Sequence, residues 1–470
     1  MKIKNFISYC VIAAATFGLA ACNDTDAQYT IPQVDAPVLV GSAPAEGSVV
    51  DDGDRVITLE FDKNIGFASA NYDKITLTGG GQVTKAIVYG TSKTLTISTT
   101  GTPKGAQCTL TIPAGLIYGP NKVTAPEITL NYSTKAPVPI DANPVMATSS
   151  KAVALYGYLK NNYGNGIISG MMASVAWNND ASEQVYQWTG KYPAINGYDY
   201  IHMPASVASA NWINYNDITP VKDWADNGGI VTIGWHWLVP KKKVEASTGG
   251  GAASAYSGLN PNTDYTYVPS ETEFDLKNAT VEGTWEKAFV DYDLANLAAY
   301  LKLLKDADIP VLWRPLHEAA GGWFWWGTDA EACKALWKYM FNYLKAEGFD
   351  NLIWVWTSQT GDDNWYPGDA YVDIVGRDLY GDNATSCANN YTTLSNKYSN
   401  KIVTLSECGW SEYTNSRVAN ISEQWGAGAK WSWFMPWYDG SEAVNKHADE
   451  AWWKAAMELD YVITRDKVNF

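Results

Sequence analysis

Pro310-Val311-Leu312-Trp313-Arg314-Pro315-Leu316-His317-Glu318 is the stretch on which the fold turns. An apolar run of strand length ends on charged and polar residues. Before it, Leu294, Leu297, Leu301 and Leu304 recur at helical spacing within residues 291–308, and Asp308-Ile309-Pro310 breaks that helix. After it, Thr328 with Glu331 three residues on resembles a capping box that opens a second helix, continued by Leu336, Met340 and Leu344 and ended by Gly348. Glu318 therefore stands where a strand gives way to a loop before a helix, which in a β/α barrel is the chemically active end. Alternation along a strand predicts that Arg314, Leu316 and Glu318 share one face and that His317 leans to the other.

The same alternation of strand and helix extends outward over residues 144–470. Eight candidate strands are residues 167–175, 194–203, 230–237, 310–318, 352–358, 374–380, 402–408 and 430–438. Each but the last has a plausible helix before the next strand, and residues 442–459 can supply the eighth. Alternating β and α elements predict a parallel sheet, and eight of them over more than about 250 residues predict a closed (β/α)8 TIM barrel. A doubly wound sheet would be expected to carry a Gly-x-Gly-x-x-Gly loop after its first strand, and none is present.

On this count Glu318 ends the fourth strand, and Leu405-Ser406-Glu407-Cys408-Gly409 puts Glu407 at the end of the seventh. Val403, Leu405 and Glu407 are expected to share a face, aiming Glu407 into the barrel mouth. Two carboxylates meeting there, with Trp323-Phe324-Trp325-Trp326-Gly327 close by, match what cleavage of a glycosidic bond requires. His236 and Trp237 on the third strand, Asp378 and Tyr380 on the sixth, and Trp437 on the eighth fall at the same end. His317-Glu318 lacks the second histidine of a His-Glu-x-x-His zinc helix, since Gly321 and Gly322 follow, so no metal or other cofactor is expected.

Trp313 to Glu318, followed by Gly322-Trp323-Phe324-Trp325-Trp326-Gly327, resembles glycoside hydrolase family 26, whose best-known members are endo-β-1,4-mannanases. The resemblance spans roughly residues 145–465. It implies a retaining mechanism with Glu318 as acid/base and Glu407 as nucleophile. It also implies a substrate-binding set of His236, His317, Trp323, Asp378, Tyr380 and Trp437 at the central subsites, with Trp431 and Trp433 as neighbouring alternatives to Trp437. Arg314 and Trp237 join that set by position, Arg314 as a charge able to keep Glu407 ionised. Mannan, galactomannan or glucomannan is the expected polymer. Enzymes on β-1,3-xylan or mixed-linkage β-glucan also occur in the family, and a glycan-binding protein on an inactive barrel or an exo-acting mannosidase is the competing class.

Composition narrows the partners. The formal net charge of −16 argues against nucleic acid, which needs a basic surface, and leaves a neutral glycan unaffected. Trp and Tyr number 22 and 29 against 11 Phe, a bias toward rings that both stack and hydrogen-bond. Charged residues at 18% still describe a compact globule.

Residues 1–21 read as a leader, with Lys2 and Lys4 before an apolar run from Val11 to Ala21 that is too short to span a bilayer. Leu19-Ala20-Ala21-Cys22 resembles a lipobox, which implies lipidation of Cys22, anchoring to an outer membrane and, from the acids that follow, display on the cell surface. Residues 22–35 are a tether. Residues 36–133 alternate in short runs (Ile57, Leu59, Phe61; Leu95, Ile97; Leu110, Ile112) and predict an all-β, immunoglobulin-like sandwich, expected to act as a spacer. Residues 134–143, with Pro137 and Pro139, form a semi-rigid linker to the barrel at 144–470. Cys108, Cys333, Cys387 and Cys408 give no disulfide framework, and a monomer is expected. The long insertion from Leu238 to Trp285 is expected to shape the cleft.

Overall fold

The computed structural model describes residues 33–135, 140, 143–174, 177–204, 213–245, 251–439 and 446–470. The leader, Cys22, most of the tether and part of the 134–143 linker lie outside the described residues. No helix among the described residues is long and apolar enough to cross a membrane.

The first module packs two sheets face to face. One orders Leu39–Ala43, Gly53–Phe67, Ser92–Thr102 and Gln82–Ile87, and the other Val49–Val50, Ile128–Thr134, Gln107–Ile112 and Thr76–Leu77. Ile57, Leu59, Phe61, Leu95, Ile97, Leu110, Ile112 and Leu130 fill the space between them, while their strand neighbours face out, as period-2 alternation requires. Tyr89 is exposed on this module.

The barrel strands are β1 (Ile167–Met172), β2 (Ile195–Asp199), β3 (Ile230–Trp235), β4 (Val311–Pro315), β5 (Leu352–Ser358), β6 (Ile374–Tyr380), β7 (Ile402–Ser411) and β8 (Trp433–Pro436). Each pairs in parallel with the next, and β1 pairs with both β2 and β8, so the sheet closes. Helices α1 (Ser150–Asn162), α2 (Asp180–Thr189), α3 (Thr219–Asp226), α4 (Gly251–Ser257), α5 (Trp285–Asp306), α6 (Ala330–Ala346), α7 (Ala384–Lys397), α8 (Ile421–Gly426) and α9 (Glu450–Met457) complete the domain. Strands buried on both faces read as continuous apolar runs, and their two faces serve two cores. Leu312, Ile353, Val355, Ile374 and Ile402 join the inner core, where Leu155 and Leu159 of α1 close the N-terminal end. Val311, Trp313, Trp354, Trp356, Val403 and Leu405 pack with the helices instead.

Four sequence expectations need correction. Helix α6 is capped by Asp329, whose side chain accepts from Ala332 N–H, and not by Thr328. No α-helix separates β5 from β6. A single 3-10 turn (Asp369–Tyr371) spans the gap, because Gly361 and Pro367-Gly368 interrupt a stretch too short for a helix. Val403 and Leu405 do not share a face with Glu407, since the register between β6 and β7 slips by one residue. Arg377 pairs with Leu405 and Asp378 with Glu407, which leaves Ser406 as the extra residue of a bulge. The bulge turns Glu407 inward after two outward-facing neighbours. The eighth helix is α9, shorter than residues 442–459, and 442–445 are outside the described residues.

Gly376 makes room for that bulge, because a Cβ there would collide with the side chain of Ser406. Gly376→Ala should therefore destabilise the barrel by about 1–3 kcal/mol, the usual cost of overpacking a dense interior. Urea denaturation checks this, and an unchanged midpoint would refute the brace.

Candidate active site

Bulge and strand ends bring three carboxylates round one guanidinium. Arg314 on β4 is buried and donates through Nη1 to Glu407 Oε1 at 2.6 Å, through Nη2 to Asp378 Oδ2, and through Nε to Thr357 Oγ1 at 2.9 Å. Tyr380 O–H donates to the other oxygen of Glu407 at 2.7 Å, and Ser406 O–H to Asp378 Oδ1 at 2.7 Å. Glu407 is thus held at both oxygens. Its neighbours are charge-assisted donors, the strong class of hydrogen bond.

Glu318 reaches the same point by a different route. Strand pairing ends at Pro315, and the chain then takes left-handed backbone at Leu316 (φ 46°) and Glu318 (φ 51°). Such conformations are uncommon for residues with a Cβ and are held only where the surroundings enforce them. Trp326 Nε1–H donates to His317 O at 2.8 Å, and Gly321 N–H to Glu318 O at 3.0 Å, which fix the turn. Strand alternation therefore does not extend past Pro315, and His317 turns inward with Glu318 instead of away from it. One oxygen each of Glu318, Asp378 and Glu407 lies within 4.8 Å of the others. Trp323 Nε1–H donates to Glu318 Oε2 at 3.0 Å, and its ring is 49% exposed.

The electrostatics separate the two glutamates. Burial, then the charges of Asp378 and Glu407, push Glu318 far above the ordinary carboxyl value of 4.5, and Asp378 is placed to hydrogen-bond its neutral form. Burial and Asp378 also raise Glu407, but Arg314, the Tyr380 hydroxyl and His236 pull it back. Glu407 has an arginine bond and Glu318 has none, so the proton the cluster retains resides on Glu318. Tyr380, buried beside Glu407, keeps its own proton and remains a donor. Arg314 stays charged, because Asp378 and Glu407 outweigh the cost of its burial. The three carboxylates are a donor set of the kind a cation takes, yet Arg314 already bonds two of them and supplies the positive charge.

The remaining sequence candidates divide. His236 and His317 meet with Nε2 atoms 3.0 Å apart, and Trp437 packs 5.8 Å from the His236 ring, whereas Trp431 and Trp433 are fully buried elsewhere. Trp237 is a correction. It is fully buried, stacked on Trp235 at 3.9 Å with its N–H on Asp293, and lines no cleft. Side chains alternate along a strand, so only one of two consecutive residues reaches the mouth, and His236 takes that place. Arg314 orients carboxylates and is not open to a ligand. Residues the sequence reading missed are Asp199, which accepts from His236, together with Thr357, Ser406 and Phe324, whose ring lies 5.0 Å from His317. Tyr267, on the long insertion, packs 6.2 Å from the His236 ring, and its carbonyl accepts from Trp325 N–H. Asp199 and Thr357 are legible in principle as polar residues at the ends of apolar strands. All four cysteines of the described residues are free and buried.

Residues 140–467 match the model of glycosyl hydrolase family 26, and residues 33–134 that of a bacterial Ig-like domain. The chain is 31% identical over 323 residues to mannan endo-1,4-beta-mannosidase A of Piromyces sp, covering 67% of this chain and 48% of that protein. It is 31% identical over 333 residues to a mannan endo-1,4-beta-mannosidase of Thermothelomyces thermophilus, covering 69% of this chain and 62% of that one. The chain thus spans about half of the curated relatives it matches. The family 26 domain of a Prevotella bryantii endo-beta-mannanase/endo-beta-glucanase superposes with a TM-score of 0.61 at 43% identity, covering 70% of this chain and 99% of that domain. A beta-mannanase from a symbiotic protist of the termite Reticulitermes speratus, solved with a gluco-manno-oligosaccharide, gives 0.56 at 34% identity, covering 70% and 98%.

Because the folded-state value of Glu318 is raised, its neutral form stabilises the fold. That contribution is complete below the unfolded value of 4.5 and is lost as pH rises toward the folded one. Glu318→Gln should therefore be more stable than the wild type at pH 8 by more than about 1.4 kcal/mol, the equivalent of one pKa unit. The difference should vanish near pH 4. Parallel thermal melts at the two pH values test it, and equal melting temperatures at pH 8 would contradict the assignment of the proton.

Proposed function

Since the chain belongs to glycosyl hydrolase family 26, we propose that it is a retaining endo-β-1,4-mannanase acting on internal mannosidic bonds of mannan, galactomannan or glucomannan. The observation that carries this reading is the approach of Glu318 and Glu407, with oxygens within 4.8 Å. Retaining enzymes hold their carboxyl groups about 5–5.5 Å apart, and inverting ones about 6.5–9.5 Å to leave room for water. The names of the relatives supply the choice of mannan.

The chemistry follows from the two environments. Glu407, oriented by Arg314 and Tyr380, attacks the anomeric carbon. The bond from that carbon to the glycosidic oxygen breaks, and Glu318 passes its proton to the departing oxygen. A glycosyl ester on Glu407 results, and Glu318 is now a carboxylate. It accepts a proton from water as the water oxygen attacks the same carbon, which frees Glu407 and restores the acid. Two displacements at one carbon return the original configuration. Trp323 is bonded to the acid and exposed on the side where the leaving group must lie, so its ring supports the departing sugar. Trp437 and Tyr267, both packed against His236, give the cleft further apolar walls.

The leader and Cys22 support a second part of the proposal, that the enzyme is tethered to the outer membrane by lipid, with the Ig-like module as spacer. Labelling with a radioactive fatty acid that persists in Cys22→Ala would refute the anchor.

On unbranched mannan, the wild type should release a ladder of oligosaccharides, and proton NMR of the first products should show the β-anomer before mutarotation. Glu407→Ala should abolish release. Glu318→Ala should lose about 10²–10⁴-fold, the usual range for a general acid. Release from β-1,3-xylan or mixed-linkage glucan in place of mannan would transfer the proposal to those polymers, and no release from any would favour a binding protein.

A further inference from the structure

The pair of histidines in the cleft is controlled from behind by a residue that neither the motif nor the two-carboxylate mechanism uses. Asp199 ends β2 and is buried. Its Oδ1 accepts from the backbone N–H of Ile201 at 2.7 Å and of His236 at 3.0 Å, and its Oδ2 lies 2.5 Å from His236 Nδ1. Gly234, directly across on β3, leaves room for it, since a Cβ there would stand 3.1 Å from Oδ2. The far nitrogen of the same ring faces His317 Nε2 at 3.0 Å.

We infer that Asp199 is a positioning residue of the hydrolysis, fixing His236 as a doubly protonated cation that donates to His317 and stands in electrostatic reach of Glu407. The inference rests on the glycosidase reading above and adds a residue to it. Two imidazole nitrogens 3.0 Å apart need one proton between them, so one ring donates and the other accepts. The groups around each ring decide which. His236 faces Asp199 from β2 and Glu407 from β7, against Arg314 and His317 on the β4 side and His202 after β2. His317 faces Arg314 and His236. Arg314 acts on both rings, but the anions, Asp199 and Glu407, act on His236 alone of the two. Burial alone would discharge His236, but Asp199 and Glu407 outweigh it, while burial, His236 and Arg314 all drive His317 to the neutral form. The reverse arrangement, with both rings neutral and His317 donating, places no positive charge between Asp199 and Glu407. His236 as a cation is the second positive charge, after Arg314, that favours ionised Glu407.

Asp199→Asn tests the charge with little change of shape. The amide oxygen can take the two backbone N–H bonds, and the amide N–H₂ then meets His236 Nδ1. That ring must accept there, which makes it neutral while its Nε2–H still points at His317. The chain has four histidines, so their nitrogen resonances can be assigned by single variants. In the wild type at pH 7, nitrogen-15 NMR should show His236 doubly protonated and His317 neutral. In Asp199→Asn, His236 should be neutral. The acid limb of kcat/KM on mannan, set by ionisation of Glu407, should then move up by about 1 pH unit, the smallest shift expected from removing a nearby cation.

His236→Asn removes the cation directly and should give the same displaced limb. It reads the proposal even where Asp199→Asn does not fold. A merely structural Asp199 would lower kcat at every pH with the limb in place, and that result, or a neutral His236 in the wild type, would overturn the inference. If the wild type cleaves no mannan, the proposed function fails, and the NMR arm alone still decides the state of the pair.

Discussion

One guanidinium organises the catalytic end of this barrel. Arg314 leaves β4, crosses the mouth and bonds Thr357 of β5, Asp378 of β6 and Glu407 of β7, so four consecutive strands are tied at their ends by one side chain. Such a triad is weak evidence for stability in itself. Desolvating several charges costs about as much as their attraction returns, and removing one partner strands the others at a cost of about 3–5 kcal/mol. What the triad does supply is asymmetry. Two glutamates close together in a dry site repel, and the cluster must decide which keeps a proton. Arg314 touches Glu407 and Asp378 and leaves Glu318 without a cation in contact, so the protonated and the ionised glutamate are distinguished by one hydrogen-bond pattern.

The sequence made the frame of this arrangement readable and hid its phase. Strands of a parallel barrel are apolar on both faces, which is why residues 352–358 and 374–380 could be bounded from the sequence alone and why Glu318 and Glu407 could be placed at strand ends. Which way each pointed was another matter. The Ser406 bulge adds one residue to β7, and a one-residue slip exchanges inside for outside, so simple alternation gives Val403 and Leu405 the wrong face. The left-handed backbone of Leu316 and Glu318 reversed His317 in the same way. The residues that carry the two features, Ser406, Leu316 and Glu318, are not themselves glycine, proline or asparagine. Both arise from tertiary contacts, Ser406 with Asp378 and Trp326 with the carbonyl of His317.

Aromatic composition was similarly ambiguous residue by residue. A ring at a strand end is equally at home in a cleft or a core, and the two fates differ by a single position. His236 lines the mouth and Trp237 next to it is fully buried. In Trp323 to Trp326 the same division recurs: among the described residues Trp323 is the tryptophan that stays largely exposed, and Trp325 and Trp326 are buried. Asp199 is not marked by any motif in its own neighbourhood, and its contact with His236 depends on β3 lying beside β2.

The buried rings explain how a strained acid can be kept in place. Left-handed backbone at two residues with side chains costs about 1–3 kcal/mol each, more than the turn's own bond from Gly321 N–H to Glu318 O offsets. The remainder is offset behind the turn. Trp235 stacks on Trp237 at 3.9 Å, Trp237 meets Trp325 edge-on at 5.4 Å, Trp325 meets Trp326 at 5.7 Å, and Trp326 stacks on Phe324 at 4.3 Å. Each buried ring contributes several times the value of one turn hydrogen bond. Their polar ends are also spent on the backbone, Trp325 on the carbonyl of Trp237 and Trp326 on that of His317. A continuous aromatic brace therefore runs from the outer face of β3 to the carbonyl of the residue before Glu318. The buried tryptophans determine where Glu318 sits, and Trp323 can remain exposed because the others hold its loop.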